Sequence, residues 1–201
     1  MFGSSDKSQR LKILKKNLPE IKINVFLRLN KKTTAWVNNF SSKVVLTKDN
    51  QEIVFAKNSL LVPHISLIKG FLNNGNDLSK IKKIVKNVAS QFKKISVNFS
   101  KLVITEDNKW IMLYLENNQE LQKLIESLKT ELKSYITIKA YDAPHITLAK
   151  SNDFSKLETL IKSYNLPSKF VSGGIGVGLC GNAGVVLKVL HKANFKSYEN
   201  K

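Results

Sequence analysis

The chain has 201 residues, with 33 Lys and Arg against 15 Asp and Glu and a formal net charge of +18 at pH 7. With 42% hydrophobic residues it can bury one sizeable core or two small lobes sharing one, and no apolar run reaches the ~18–20 residues of a membrane helix. A single cysteine, Cys180, excludes an internal disulfide and fits a reducing, cytoplasmic compartment, while a charge carried almost wholly by lysine favours polyanionic partners without defining a base-reading surface.

Residues 1–20 are basic and lack the apolar stretch of a secretory signal. They are expected as a flexible arm before one domain over 21–196, with 197–201 as a tail. Ile21, Ile23, Val25, Leu27 and Leu29 alternate with Lys22, Asn24, Phe26 and Arg28, which predicts a strand with one apolar face. A short helix is expected over 33–42. Val44–Leu46 and Ile53–Phe55 flank Lys48-Asp49-Asn50-Gln51 as a hairpin would. Leu61–Ile68 is the next strand, and Asn73–Asp77 is a loop and helix cap. Leu78, Ile81, Val85, Val88 and Phe92 form a helical stripe. Ile95, Val97 and Phe99 open a strand that turns at Glu106–Lys109 into Trp110–Leu115. A second helix carries Leu121, Leu124, Ile125, Leu128 and Leu132. Ile146–Ala149 is a strand, Leu157, Leu160, Ile161 and Tyr164 mark a third helix, and Phe170–Val177 with Val185–Leu190 closes the chain as a strand pair. No linker divides the sequence, so an α+β domain with two interlocked lobes is expected.

Within this order one phrase occurs twice: Pro63-His64-Ile65-Ser66-Leu67-Ile68-Lys69 and Pro144-His145-Ile146-Thr147-Leu148-Ala149-Lys150. The chain has three histidines, and two occupy the same slot in this phrase. In an extended segment His64 shares a face with Ser66, and His145 with Thr147, while the aliphatic residues between them point to the core. Alternation places Lys69 and Lys150 on the opposite faces. Each proline fixes the approach to its histidine. An i,i+2 spacing is roughly 6.6–7 Å, too long for a histidine-activated serine nucleophile. It suits a phosphate that accepts from the hydroxyl while imidazole serves the attacking or leaving oxygen. Two imidazoles can divide that proton work, since the reference pKa of about 6.5 suits both acid and base.

The paired His-Ile-Ser-Leu and His-Ile-Thr-Leu tetrads resemble the signature of the 2H phosphoesterase superfamily, which includes the 2′-5′ RNA ligases and cyclic phosphodiesterases. The element order from Lys22 to Phe195 is similar too. The resemblance implies an α+β fold of two antiparallel sheets with outer helices, arranged as two lobes about a pseudo-twofold with a central cleft. It implies a metal-independent phosphodiesterase, needing no cofactor, that hydrolyses 2′,3′-cyclic or 2′,5′-linked phosphodiesters. The substrate would be an RNA end, an oligonucleotide or a cyclic nucleotide, and the protein a monomer without membrane contact. His64 and His145 would be the acid–base pair, with the second histidine as base in the order the family favours. Ser66 and Thr147 would hold the phosphate. Tyr141, Trp110 and Phe26 are candidate base-stacking residues, although aromatic burial favours core packing for each.

Other motifs weigh less. Three histidines and one cysteine form no metal-ligand cluster in sequence. Gly176-Val177-Gly178-Leu179-Cys180-Gly181 matches Gly-x-Gly-x-x-Gly, but a strand rather than a helix is expected after it, so it reads as a hairpin or bulge. His191 has no matching neighbours and reads as structural. The competing function is a catalytically weak RNA- or nucleotide-binding protein using the same cleft.

Overall fold

β1 (Lys22–Leu29) realises the alternation at the start of the chain, yet Ile23 through Leu27 are all buried, so both faces of this strand are covered. The computed structural model describes residues 20–44, 53–54, 61–105, 110–139, 143–150, 167–181 and 184–196. After β1 come α1 (Lys31–Val44), β2 (Ile53–Val54), β3 (His64–Leu72), α2 (Leu78–Gln91), β4 (Ser96–Thr105), β5 (Trp110–Leu115), α3 (Gln119–Leu132), β6 (Ile136–Ile138), β7 (His145–Lys150), β8 (Lys169–Cys180) and β9 (Val186–Ala193).

The helices start where side chains satisfy their first amides. Asn30 Oδ1 accepts from the Thr33 amide at 2.8 Å, and Asn118 Oδ1 from that of Leu121 at 2.9 Å. A 3₁₀ turn over Gly75–Asp77, capped by Asn74, leads into α2. α2 buries Ile81, Val85, Val88 and Ala89, and α3 buries Leu121, Leu124, Ile125, Leu128 and Leu132. Among the described residues no helix is long and apolar enough to cross a membrane.

Nine strands among the described residues form one connected sheet in the order β2-β7-β5-β4-β8-β1-β3-β6, with β9 on β8. A further pair, Ile65 with Ile146, joins β3 to β7 and closes the path on itself. The two expected sheets are therefore linked, through β4–β8 and again through β3–β7. Short strands cross over: β2 precedes β3 in the chain but pairs with β7, and β6 precedes β7 but pairs with β3.

Two expectations change. Val44, expected in a strand, ends α1, and Ile53–Val54 pairs with Ala149–Lys150; the turn expected at Lys48–Gln51 lies outside the described residues. β6 is an addition to the expected elements, because Ile136–Ile138 is too short to show a period. Gly176 and Gly178 lie inside β8, where a Cβ on either would stand within 3.0 Å of Phe26 or Val186. Those glycines are close-approach positions in a strand, and the expected bulge and hairpin are both present: the β8–β9 register shifts between Val177 and Gly178, and Gly181 donates to Val185 at the turn. The basic arm, the turn at Glu106–Lys109, the third helix and the tail lie outside the described residues.

Candidate active site

The two histidine strands break alternation at the same point. On β3, Ser66 pairs with Phe26 but Ile68 pairs with Val25, which leaves Leu67 as an extra residue. On β7, Thr147 pairs with Met112 but Ala149 with Ile111, which leaves Leu148 extra. Each strand thus carries a β-bulge, and the bulge reverses the parity of the residues beyond it. Leu67 and Ile68 are both buried, as are Leu148 and Ala149. Lys69 and Lys150 consequently return to the histidine face, and both line the cleft, contrary to the expectation from simple alternation.

The Ile65–Ile146 pair stands beside both histidines. The imidazoles are close enough that charge on His145 disfavours charge on His64.

Each imidazole is fixed by the same backbone device. His64 Nδ1 is 2.7 Å from the carbonyl oxygen of Val62, and His145 Nδ1 is 2.9 Å from that of Ala143. A carbonyl only accepts, so both Nδ1 atoms carry hydrogen and Nε2 is the working nitrogen. The prolines at 63 and 144 sit between donor and acceptor and restrict the backbone there. Each ring also packs on an aromatic neighbour, His64 on Phe26 at 5.2 Å and His145 on Tyr114 at 5.4 Å between centroids.

Asn24 joins the site without having been marked by the sequence. It is fully buried on β1, and its Nδ2 lies 3.1 Å from His64 Nε2, 2.9 Å from Ser66 Oγ and 3.1 Å from the Gly184 carbonyl oxygen. The carbonyl requires a donor, which fixes the amide orientation. With Nδ1 bonded to the Val62 carbonyl, a neutral His64 presents its Nε2 lone pair toward Asn24. Burial pushes the imidazole pKa down to about 4, with His145 and Lys69 pushing the same way and the Val62 and Gly184 carbonyls opposing. Ser66 Oγ accepts from Asn24, which leaves its own hydrogen for another acceptor. Sequence alternation placed Asn24 on the polar face of β1; an uncharged amide between Lys22 and Arg28 was the only signal.

A cleft of about 660 Å³ lies beside these groups. His145, Thr147, Lys150, Trp110 and Tyr114 line one side. Lys22, Lys69, Phe71 and Lys139 line the other, and Gly181 and Gly184 border it. His64 and Ser66 do not line it; they adjoin it through Asn24 and Gly184. Trp110 faces the cleft, with Lys150 Nζ 5.4 Å from its ring centroid. Phe26 does not: it is fully buried between His64 and the strand at Gly176, so it packs the core and cannot stack on a base. Tyr141 lies outside the described residues. His191 is on β9, its Nε2 buried without a partner among the described residues, and burial with nearby Lys82 and Lys86 lowers its pKa. Among the described residues no three His, Cys, Asp or Glu side chains are grouped to hold a metal ion.

A sequence model of the 2′-5′ RNA ligase superfamily matches residues 55–175. The fold is similar to TT0787 of Thermus thermophilus, with TM-score 0.61 at 12% identity over 88% of this chain and 99% of that one. It is similar to E. coli LigT complexed with 3′-AMP, with TM-score 0.60 at 10% identity over 89% and 99% of the two chains. It is also similar to LigT complexed with phosphate, with TM-score 0.58 at 9% identity over the same shares. No curated protein matches in sequence.

Proposed function

The chain belongs to the 2′-5′ RNA ligase superfamily, and we propose that it is a metal-independent phosphodiesterase hydrolysing 2′,3′-cyclic or 2′,5′-linked phosphodiesters of RNA ends or small oligonucleotides. The observation that carries this reading is the Ile65–Ile146 junction, which draws two identically anchored His-x-Ser/Thr pairs together. Reciprocal exchange of β2 and β6 supports reading the halves as two lobes about a pseudo-twofold, with the junction on its axis.

For a cyclic phosphate the hydrogen bonds support one division of labour. Neutral His64 takes a proton from water at Nε2 as the water oxygen bonds to phosphorus. Protonated His145 gives its Nε2 proton to the ribose oxygen as the phosphorus–oxygen bond breaks. This inverts the order implied by the family resemblance, and the reason is local: Asn24 holds His64 with its lone pair presented. Asn24 has two N–H groups for three acceptors, so water can replace it at Nε2 while Ser66 and Gly184 keep one hydrogen each. Ser66 and Thr147 donate to the non-bridging oxygens, and Lys150 offsets the developing charge. A LigT structure complexed with 3′-AMP supports a nucleotide phosphate as ligand.

The test is a chelator-treated assay against 2′,3′-cyclic, 2′,5′-linked and 3′,5′-linked substrates. His64→Ala and His145→Ala should each lower kcat by about 10²–10⁴-fold with an unchanged circular dichroism spectrum. Undiminished cleavage in both variants overturns the reading. Binding without turnover by the wild-type protein supports the nucleotide-binding alternative.

A further inference from the structure

We propose that Lys22, Lys69 and Lys139 form a subsite for a second phosphate, apart from the one being cleaved, so that the preferred substrate carries a further phosphate group. This rests on the phosphodiesterase reading for its orientation. It concerns a different group of the substrate.

The two ends of the cleft are built on matching strand pairs but carry unlike side chains. On the second-motif side Lys150 pairs across the sheet with Trp110. The corresponding partner of Lys69 on β1 is Asn24, which is buried and turned to His64. The cross-strand partner of Lys69 on β1 is therefore not aromatic. Ammonium groups gather instead. Lys22 pairs with Phe71, and the Lys139 amide donates to the Lys69 carbonyl at 2.9 Å, so all three lysines are fixed to neighbouring backbone positions. Lys139 Nζ lies 4.4 Å from the Phe71 ring centroid and Lys22 Nζ 6.0 Å from the same ring. Cation–π contact with one ring holds both heads at the cleft wall. Lys69 lies along the Gly184 turn, its Cδ 3.0 Å from where a Cβ on that glycine would stand. The field of Lys69 reaches His64, and the fields of Lys22 and Lys69 both reach Cys180.

Lys22, Lys69 and Lys139 all line one cleft, and lysines along a concave wall raise the local concentration of an anionic ligand. Lys150, Thr147 and Ser66 serve the reacting phosphate, whereas Lys22 and Lys139 at Phe71 and Lys69 at Gly184 are placed to meet another. Lysine binds phosphate as a point charge and makes charge-assisted hydrogen bonds. The volume of about 660 Å³ lies in the range of small-molecule sites and accommodates a nucleotide with two phosphates. That second group is either a terminal 5′-phosphate or the internucleotide phosphate of an oligonucleotide.

Calorimetric titration separates this from general attraction by the charge of the chain. The ligands are adenosine 3′-monophosphate, adenosine 3′,5′-bisphosphate and a dinucleotide with a 3′-phosphate. The bisphosphate should bind about tenfold or more tightly than the monophosphate. Lys22→Gln and Lys139→Gln should each remove most of that preference, whereas Lys123→Gln, an exposed position on α3, should retain it. A dinucleotide preference without a bisphosphate preference assigns the subsite to an internucleotide phosphate. Equal affinity for the monophosphate and both of its competitors, or equal loss in Lys123→Gln and Lys139→Gln, overturns the proposal. Because this measures binding, absent turnover of cyclic substrates would defeat the phosphodiesterase reading alone.

Discussion

Asn24 Nδ2 stands 3.1 Å from His64 Nε2, while the opposite ring nitrogen gives its hydrogen to the Val62 carbonyl at 2.7 Å. The neutral imidazole with hydrogen on Nδ1 is thereby held between a donor and an acceptor. Asn24→Ala leaves Ser66 and the Gly184 carbonyl without this donor, and should cost about 1–3 kcal/mol of stability. In the proposed mechanism it lowers kcat more than it raises KM, since Asn24 acts through His64 and Ser66. Asn24→Asp places a carboxylate beside the ring and should raise the imidazole pKa. An upward shift of the acidic limb of kcat/KM in Asn24→Asp, absent from Asn24→Ala, checks this role; identical profiles in the two variants would refute it.

The pH dependence follows from the His64 pKa, which burial above all pushes from 6.5 down to about 4. As pH falls, the unfolded chain takes up this proton before the native chain does. The contribution of His64 to stability is therefore complete above about 6.5 and is lost progressively as pH falls through 4. Denaturant midpoints measured across that interval should decline, and His64→Gln should flatten the decline. For the reaction, a base that stays neutral to about pH 4 puts the acidic limb of kcat/KM near 4. A limb at 6.5 would show that His64 is not the base.

Much of this arrangement could be read from sequence, and the exceptions share a cause. The duplicated heptad marked both histidines and both hydroxyls because alternation holds from His64 to Ser66 and from His145 to Thr147. It misplaced Lys69 and Lys150 because a bulge needs a partner strand, and the partners of Leu67 and Leu148 are set by pairings that no local pattern reveals. Asn24 was missed for a related reason. Its role comes from meeting His64, Ser66 and Gly184, which lie on β3 and at the β8–β9 turn. Phe26 and Trp110 were equivalent in sequence, both aromatic and both on strands. Only the packing of Gly176 under one and Lys150 over the other separates core from cleft.

That separation is measurable. Trp110→Ala should weaken binding of nucleotide substrates by the loss of base stacking, about 1–3 kcal/mol, and leave KM unchanged for a phosphodiester that has no base. Phe26→Ala should cost about 3–5 kcal/mol of stability, as for other buried aromatic truncations, with no such discrimination between substrates. Equal KM effects of Trp110→Ala on substrates with and without a base would remove Trp110 from base recognition.

Gly176 tests how firmly the Phe26 ring is held against His64. A Cβ at 176 would stand 2.3 Å from Phe26 Cζ and 2.5 Å from Cε2, well inside contact distance. The ring has no solvent to swing into, since Phe26 is fully buried, and the His64 ring lies 5.2 Å away. Gly176→Ala should therefore lose about 1–3 kcal/mol of stability through overpacking, and turnover should fall with it as His64 is displaced. Gly75→Ala, whose nearest neighbour would be 3.9 Å away, should lose no turnover. Combining Gly176→Ala with Phe26→Ala removes the clash and refills part of the cavity, so the double variant should be more stable than the sum of the single losses predicts. Simple additivity in the denaturation midpoints would mean that the ring is not pinned between Gly176 and His64.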